Sequence, residues 1–324
     1  MRILVSGSEG FVGKVLVANL LASGHEVEGI DRAKAANLSY RLHRTDLKYE
    51  VLLGPASYDV VIHCAAAKGD WDISDREFYD DNVVATENLL KYLLKCEVKK
   101  IIHFSTVAIY SRDVTDGSES TKIKPNSVYG QTKLDSEILI KKYAEESGIP
   151  TVILRPSVIY GRNNYANMFN LIQQLNRALP FQINPLGITK SHVSVRNVVD
   201  VVLRFSNPSL SVQGLEVYNL TERPYYDLNY MIGIICDELG VQLPKVKLPI
   251  WFVAIPFGIL EFFGKILKKD TGFTLDRLRK FSSSTHYTSE KLWSHTGKQK
   301  HSSESELRDM VKWFKERKND TTSS

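Results

Sequence analysis

The stretch that most limits what this chain can fold into is its start, Met1-Arg-Ile-Leu-Val-Ser-Gly-Ser-Glu-Gly-Phe-Val-Gly13. Arg2 to Ser6 is short, apolar and β-branched, the pattern of a parallel strand buried on both faces. Gly7, Gly10 and Gly13 follow, with Glu9, Phe11 and Val12 between them, and Lys14 to Ala22 carries a helical apolar rhythm that stops at Ser23-Gly24. A glycine-punctuated turn between strand and helix presents backbone N–H groups at the positive end of a helix dipole, where an anion is favoured. Gly7 permits the tight turn, Gly10 lets the backbone approach a diphosphate, and Gly13 lets helix and strand pack closely. A second strand, Glu26-Val-Glu-Gly-Ile30, ends in Asp31, placed to accept hydrogen bonds from an adenosine ribose diol. A carboxylate there repels a 2′-phosphate, so the pattern predicts NAD rather than NADP, with Arg32 beside it.

Strand and helix signals alternate through the first half, as βαβ units require. A weak strand near Leu42 to Thr45 ends at Asp46-Leu47, and a buried strand over Tyr58–Cys64 closes in His63-Cys-Ala-Ala-Ala67. A long helix is predicted over Asp75–Lys95, a strand over Lys99–Ser105, a helix over Asn126–Ser147 capped by Asn126 or Ser127, and a strand over Thr151–Leu154. The second half loses the alternation. Helices are predicted over Asn164–Arg177, Arg196–Phe205 and Leu228–Leu239, and Leu215–Leu220 is a strand short enough to join the same sheet. The expected fold is α/β, a Rossmann-type doubly wound parallel sheet with a smaller C-terminal substrate lobe. The NAD-binding domain takes residues 1–160 and receives about 190–220, the lobe takes 161–189 and 221–318, and 319–324 is a disordered tail.

Composition closes off other classes. The chain has 324 residues, 43% of them hydrophobic, enough for a large core, and its net charge of +5 is too mild and too dispersed to argue for nucleic acid. Cys64, Cys96 and Cys236 lie in apolar periodic segments, which points to buried thiols in a reducing cytoplasm, and their spacing suits no metal. The N-terminus reads as a strand rather than a signal peptide, and no run reaches the roughly 18 apolar residues of a membrane span.

Chemistry is signalled by Tyr129-Gly-Gln-Thr-Lys133 in a predicted helix, with Ser105-Thr106 ending the strand before it. Tyrosine and lysine four apart share one helical face. A nearby ammonium, with the cationic nicotinamide ring, would lower the phenol from about 10 toward working pH. The phenolate would then accept a proton from an alcohol as hydride leaves carbon, with the Thr106 hydroxyl holding the substrate oxygen.

With these motifs quoted, the chain resembles an extended short-chain dehydrogenase/reductase of the NAD-dependent epimerase/dehydratase family over nearly its full length. The likeness is carried by Gly7-Ser-Glu-Gly10-Phe-Val-Gly13, Asp46-Leu47, His63-Cys-Ala-Ala-Ala67, Asn82, Phe104-Ser-Thr-Val-Ala-Ile-Tyr110, Tyr129-Gly-Gln-Thr-Lys133 and Arg155-Pro-Ser-Val-Ile-Tyr-Gly161. It implies that Asp46 and Leu47 contact adenine, that Ala65, Ala66 and Lys68 flank the cofactor together with Ser105 and Pro156, and that Asn82 braces the active site. It also implies a homodimer through the Asp75–Lys95 and Asn126–Ser147 helices. Two departures stand out. Val195-Arg-Asn-Val198 replaces the usual Val-x-Asp-Val, with Asn197 still able to cap the helix. Lys190 aligns where many nucleotide-sugar epimerases carry an arginine on the substrate diphosphate, a point charge in place of a bidentate fork.

Within the family, Arg162-Asn-Asn-Tyr-Ala-Asn167-Met-Phe-Asn170 resembles the substrate loop of bacterial polysaccharide enzymes. The segment 249–267, with Trp251, Phe252, Phe257, Phe262 and Phe263 ahead of Lys268-Lys269, is either a core helix or an apolar face lying on a membrane. Its layout is similar to epimerases acting on undecaprenyl-diphosphate-linked N-acetylhexosamine, and to 3β-hydroxysteroid dehydrogenase-type members. The expectation is a sugar 4-epimerase of bacterial polysaccharide and O-antigen biosynthesis, holding NAD and taking a uridine- or undecaprenyl-diphosphate-linked hexose or N-acetylhexosamine. It would sit in the cytoplasm or at the inner face of the membrane. The alternative is an NAD(P)-dependent dehydrogenase or reductase of a 4-keto sugar or an apolar alcohol. Dehydratases carry an Asp-Glu pair after the catalytic Ser/Thr where Val107-Ala108 stands here, and a non-enzymatic relative would be expected to lose Tyr129 or Lys133.

Overall fold

The central strands of the main sheet are largely apolar because both faces are covered. In β1 (Arg2–Ser6), Ile3, Leu4 and Val5 are fully buried, and the pleat sends Ile3 and Val5 to one face and Leu4 to the other. The sheet continues with β2 (Glu26–Asp31), β3 (Arg41–Arg44), β4 (Val60–His63), β5 (Ile101–Phe104), β6 (Thr151–Pro156) and β7 (Leu215–Leu220). All pairs are parallel, in the order β7-β6-β5-β4-β1-β2-β3. Ser6 lies opposite both Ile30 and His63, so β2, β1 and β4 end level with one another. The chain winds away in opposite senses on the two sides of β1, and that switch point opens a crevice at the carboxyl ends of the strands. The computed structural model describes residues 1–67, 73–111, 114, 116–177, 181–183, 189–243, 246–248, 254, 255, 258 and 284–322. Lys68 and, apart from Ala254, Ile255 and Gly258, the apolar segment 249–267 lie outside them.

The helices are α1 (Phe11–Ala22), α2 (Asp75–Tyr79), α3 (Ala85–Leu93), α4 (Val128–Ser147) and α5 (Asn167–Asn176). After them come α6 (Val195–Ser206), α7 (Leu228–Leu239), α8 (Glu290–Thr296) and α9 (Ser303–Thr322). On one face of the sheet, Leu16 and Leu20 of α1 pack with Val198, Val202 and Phe205 of α6. On the other, Leu89 and Leu93 of α3 pack with Ile140 and Tyr143 of α4. Each such side chain contributes about 1.5–3 kcal/mol by leaving water. Beyond β6, α5, α7 and α9 build a separate apolar cluster through Ile172, Ile232, Ile235, Met310 and Phe314. Of the three thiols only Cys236 is buried. Cys64 and Cys96 are half-buried, because each follows the end of its strand or helix.

Three elements depart from the sequence reading. The rod expected over Asp75–Lys95 is not one α-helix: a π-turn, Asp80–Val84, joins α2 to α3. A reciprocal Ser74–Glu77 capping box starts it, but no glycine or proline marks the wide turn, which is stabilised by contacts from a distant loop and helix described below. Ser194, not Asn197, caps α6: its hydroxyl accepts from the Asn197 N–H at 3.2 Å. Asn197 instead faces inward, donating to Glu222 and to the His301 carbonyl and accepting from the His301 N–H, so it stitches α6 to the start of α9. And α9 runs to Thr322, past Asn319, because nothing in its last residues stops propagation once the helix is nucleated.

Beside Asn197, Glu306 is 5% exposed and accepts from Arg196 at 3.0 Å. Burial, only partly offset by Arg196 and reinforced by Glu222, pushes its carboxyl up to about 7. The fold therefore binds a proton more tightly than the unfolded chain. Stability falls as pH rises from the ordinary carboxylate value to about 7, and the penalty is complete above that. Glu306→Gln is expected to stabilise the protein at pH 8 by up to about 3 kcal/mol and to do nothing at pH 4. Thermal unfolding at the two pH values checks this, and an equal shift at both would contradict it.

Candidate active site

The glycine loop is locked by backbone contacts that leave no room for side chains. Gly7 has φ +72°, and a Cβ on it would lie 2.7 Å from Ala65 Cα. A Cβ on Gly13 would lie 2.0 Å from the Gly7 carbonyl oxygen, so α1 starts directly against the loop. The Gly7 N–H donates to Ile30 O at 2.8 Å, tying the loop to β2. Gly10 precedes α1 without a side-chain cap, so the positive end of the helix faces the loop. Phe11 and Val12 turn their side chains toward the core, leaving only their backbone for a ligand.

Over this loop lies a cavity of about 260 Å³. It brings together Gly7, Glu9, Gly10, Asp31, Arg32, Asp46, Leu47, Ala65 and Ala66, and adds Ile30, Thr45, Cys64 and Asp81, which sequence reasoning did not single out. Asp31 stands at its rim, one carboxylate oxygen accepting from the Glu9 N–H and the other from the Ala33 N–H, both at 2.9 Å. Each oxygen keeps lone pairs for a diol. Glu9 is pinned by the Tyr40 hydroxyl and sits 3.4 Å from Lys14. Asp46 accepts from the Lys48 N–H at 3.1 Å, and the Leu47 carbonyl accepts from Asn88 of α3, which holds the loop after β3 in place. Glycine-lined phosphate space beside a diol-binding carboxylate fits an adenosine diphosphate.

Thr106, Tyr129, Lys133 and Asn82 do not line that cavity; they come together where β5 ends against α4. Thr106 caps a single 3₁₀ turn, Val107–Ile109, through its hydroxyl and the Ala108 N–H at 3.2 Å. Ser127 caps α4, accepting from the Gly130 N–H at 3.1 Å. A Cβ on Gly130 would lie 2.4 Å from the Ala108 carbonyl oxygen. Only glycine at that position allows α4 to touch the turn after Thr106, and so sets Tyr129 beside it. The Tyr129 ring lies 6.1 Å from that of Phe78, tilted by 56°.

Lys133, one turn on, is 2% exposed, and burial lowers its ammonium to about 8 although Glu137 and Cys64 favour the charge. Glu137 fixes α4 to β6. Burial opposes its charge, but the Arg155 guanidinium, with Lys141, holds its carboxyl below the ordinary value. Arg155 also donates to the Tyr110 hydroxyl at 2.7 Å, which donates to Asn219.

Asn82 explains the π-turn. Its side-chain oxygen accepts from the Ala67 N–H at 2.8 Å and its amide donates to the Thr132 hydroxyl at 3.0 Å. It thus joins the cofactor-side alanine loop to the helix of Tyr129. Thr86 donates to the Asn82 carbonyl at 2.6 Å, which leaves it to accept from His63 Nε2 at 2.9 Å. His63 is therefore the neutral Nε2–H tautomer, its Nδ1 accepting a hydrogen bond from the Ser6 hydroxyl at 2.6 Å, and burial lowers it to about 3. Sequence reasoning missed this chain of buried polar groups; a histidine closing an apolar strand was its one visible sign.

The remaining candidates lie elsewhere. The Ser105 hydroxyl is buried with no partner among the described residues, and Pro156 ends β6 opposite Leu220. Asn167 opens α5, and Lys190 pairs its backbone with Thr285, burial lowering its ammonium to about 8.

The sequence model of the NAD dependent epimerase/dehydratase family matches residues 3–220. The chain belongs to that family. It is an NAD-dependent enzyme of the extended short-chain dehydrogenase/reductase type. Among curated relatives, it is 27% identical to N-acetyl-alpha-D-glucosaminyl-diphospho-ditrans,octacis-undecaprenol 4-epimerase of Escherichia coli O157:H7, over 90% of this chain and 89% of that protein. It is 33% identical to a UDP-glucose 4-epimerase of Corynebacterium glutamicum, over 77% of this chain and 84% of that one. The fold matches the UDP-glucuronic acid 4-epimerase of Bacillus cereus solved with NAD, at a TM-score of 0.76, 22% identity and 98% and 99% coverage. Among the described residues no helix is long and apolar enough to cross a membrane, and no cluster of His, Cys, Asp and Glu would hold a metal ion.

Proposed function

We propose that this enzyme is a sugar 4-epimerase acting on a diphosphate-linked N-acetylhexosamine or hexose, with the undecaprenyl-diphosphate-linked sugar of bacterial polysaccharide synthesis as its substrate. The observation that carries the reading is that α4, which bears Tyr129 and, one turn on, buried Lys133, packs through Gly130 against the turn after Thr106 and is joined from Thr132 through Asn82 to the alanine loop beside the cofactor cavity. The lipid-linked choice is supported by the E. coli relative, which spans 90% of this chain, and by the apolar run 249–267 ahead of Lys268-Lys269.

NAD, when bound, supplies a two-electron acceptor that gives back what it takes, so no external reductant is consumed. Tyr129 removes the C4 hydroxyl proton as that carbon becomes a ketone, with the Thr106 hydroxyl donating to the same oxygen. Lys133, charged below about pH 8, favours the phenolate form of Tyr129. The sugar turns about its diphosphate tether, and Tyr129 returns the proton when the opposite face is reduced. Lys190 is assigned to the diphosphate: burial makes its charge costly, and an anion offsets that cost. The described residues of 161–189 and 221–318, Asn167 among them, are assigned to the lobe that would receive the sugar. A homodimer through the Asp75–Lys95 and Asn126–Ser147 helices would cover Leu94 and Ile138, which are 71% and 53% exposed.

Incubation with UDP-N-acetylglucosamine and, separately, its polyprenyl-diphosphate analogue, followed by sugar analysis, tests the assignment. C4 inversion of the lipid-linked sugar at the higher kcat/KM is expected. Inversion of the UDP-sugar alone would overturn the lipid-linked choice and leave the epimerase reading standing.

A further inference from the structure

Arg32 directly follows Asp31, and among the described residues lining the cofactor cavity it is the cation. A guanidinium in that place is well suited to a 2′-phosphate, which it binds bidentately. Here it is engaged otherwise: Arg32 Nη1 donates to Asp81 Oδ1 at 3.1 Å. Asp81 also lines the cavity, and its side chain is 14% exposed against 57% for Arg32. It is held rigidly, since it stands in the π-turn one residue before Asn82, whose side chain bonds Ala67 and Thr132. The neighbouring Asp80 is occupied by Arg76 at 3.2 Å and does not compete for Arg32.

We infer that Asp81 is a cofactor-specificity residue, which rejects NADP by holding Arg32 away from the 2′-phosphate. Discrimination then has two parts: Asp31 selects the ribose diol, and Asp81 withdraws a guanidinium that would reward a phosphate. The inference rests on the cavity holding a dinucleotide and is independent of the sugar.

The test is direct binding of NAD and NADP to the full-length protein, cofactor removed, followed by intrinsic fluorescence. Asp81→Asn keeps shape and releases Arg32. It is expected to tighten NADP by about tenfold or more, while NAD changes by less than about threefold. The gain should fade with added salt, as a phosphate–guanidinium contact at a cavity mouth does. Combining Asp81→Asn with Arg32→Ala should return the NADP affinity to the parent value. Arg32→Ala alone should leave NADP as weakly bound as in the parent, a result that does not depend on the Asp81 variant folding. An Asp81→Asn protein that binds NAD normally with unchanged NADP affinity overturns the inference. So does a gain that survives in the double variant, or a loss of NADP affinity in Arg32→Ala. Failure of the parent to bind either dinucleotide would instead remove the cavity assignment.

Discussion

Tyr129→Phe is expected to lower kcat by about 10²–10⁴-fold, the range a positioned general base contributes, with NAD affinity and thermal stability close to the parent's. The two halves of that expectation come from separate parts of the fold. Tyr129 lies in the first turn of α4, outside the residues that line the cofactor cavity. Its position is set by Gly130 against Ala108 and by the Ser127 cap, neither of which uses the phenol oxygen. Removing that oxygen therefore takes away the proton acceptor and leaves the scaffold. Steady-state kinetics with the bound cofactor quantified checks it, and turnover within about tenfold of the parent would mean another group moves the proton.

The second large effect runs in opposite directions for activity and stability. Lys133→Met is expected to cut kcat by a similar factor, because the ammonium that favours the phenolate is gone. Yet the variant should be more stable near neutral pH. With its folded value lowered to about 8, Lys133 binds its proton less tightly in the fold than in the unfolded chain. The cost is complete below about pH 8 and is relieved as pH rises toward the ordinary lysine value, so the parent gains stability over that interval and Lys133→Met does not. At pH 7 the difference is up to about 3 kcal/mol. The same titration predicts that the parent's kcat/KM falls on the alkaline side with an apparent pKa near 8, as Lys133 loses its charge. Denaturation at two pH values and a pH–rate profile check both, and a Lys133→Met protein less stable than the parent at pH 7 would contradict the burial cost assigned to it.

What could be read from the chain was what local chemistry dictates. Strands β1, β4 and β6 announce themselves because burial on both faces makes them continuously apolar. Helix α7 keeps its expected span because Asp227 caps one end and Gly240, at φ +74°, ends the other. Nine of the residues expected at the cofactor fall around one cavity because strand ends are fixed by register. What stayed hidden depends on partners far along the chain. The π-turn around Asn82 exists because of Ala67 and Thr132, Asn197 was taken from its capping role by His301, and Asp81 matters only once it faces Arg32. No spacing rule carries such information, since the partners lie from 15 to 104 residues apart in sequence.

The central claim is that Tyr129 takes and returns the C4 hydroxyl proton, with a bound NAD that would supply a hydrogen acceptor and not be consumed. Turnover of the diphosphate-linked sugar in deuterated water, with no nicotinamide cofactor added, tests it most directly. The account predicts that both C4 epimers reach equilibrium with no deuterium at C4 and no net reduced cofactor. Conversion that stops unless NADH or NADPH is supplied, or deuterium appearing at C4, would contradict it.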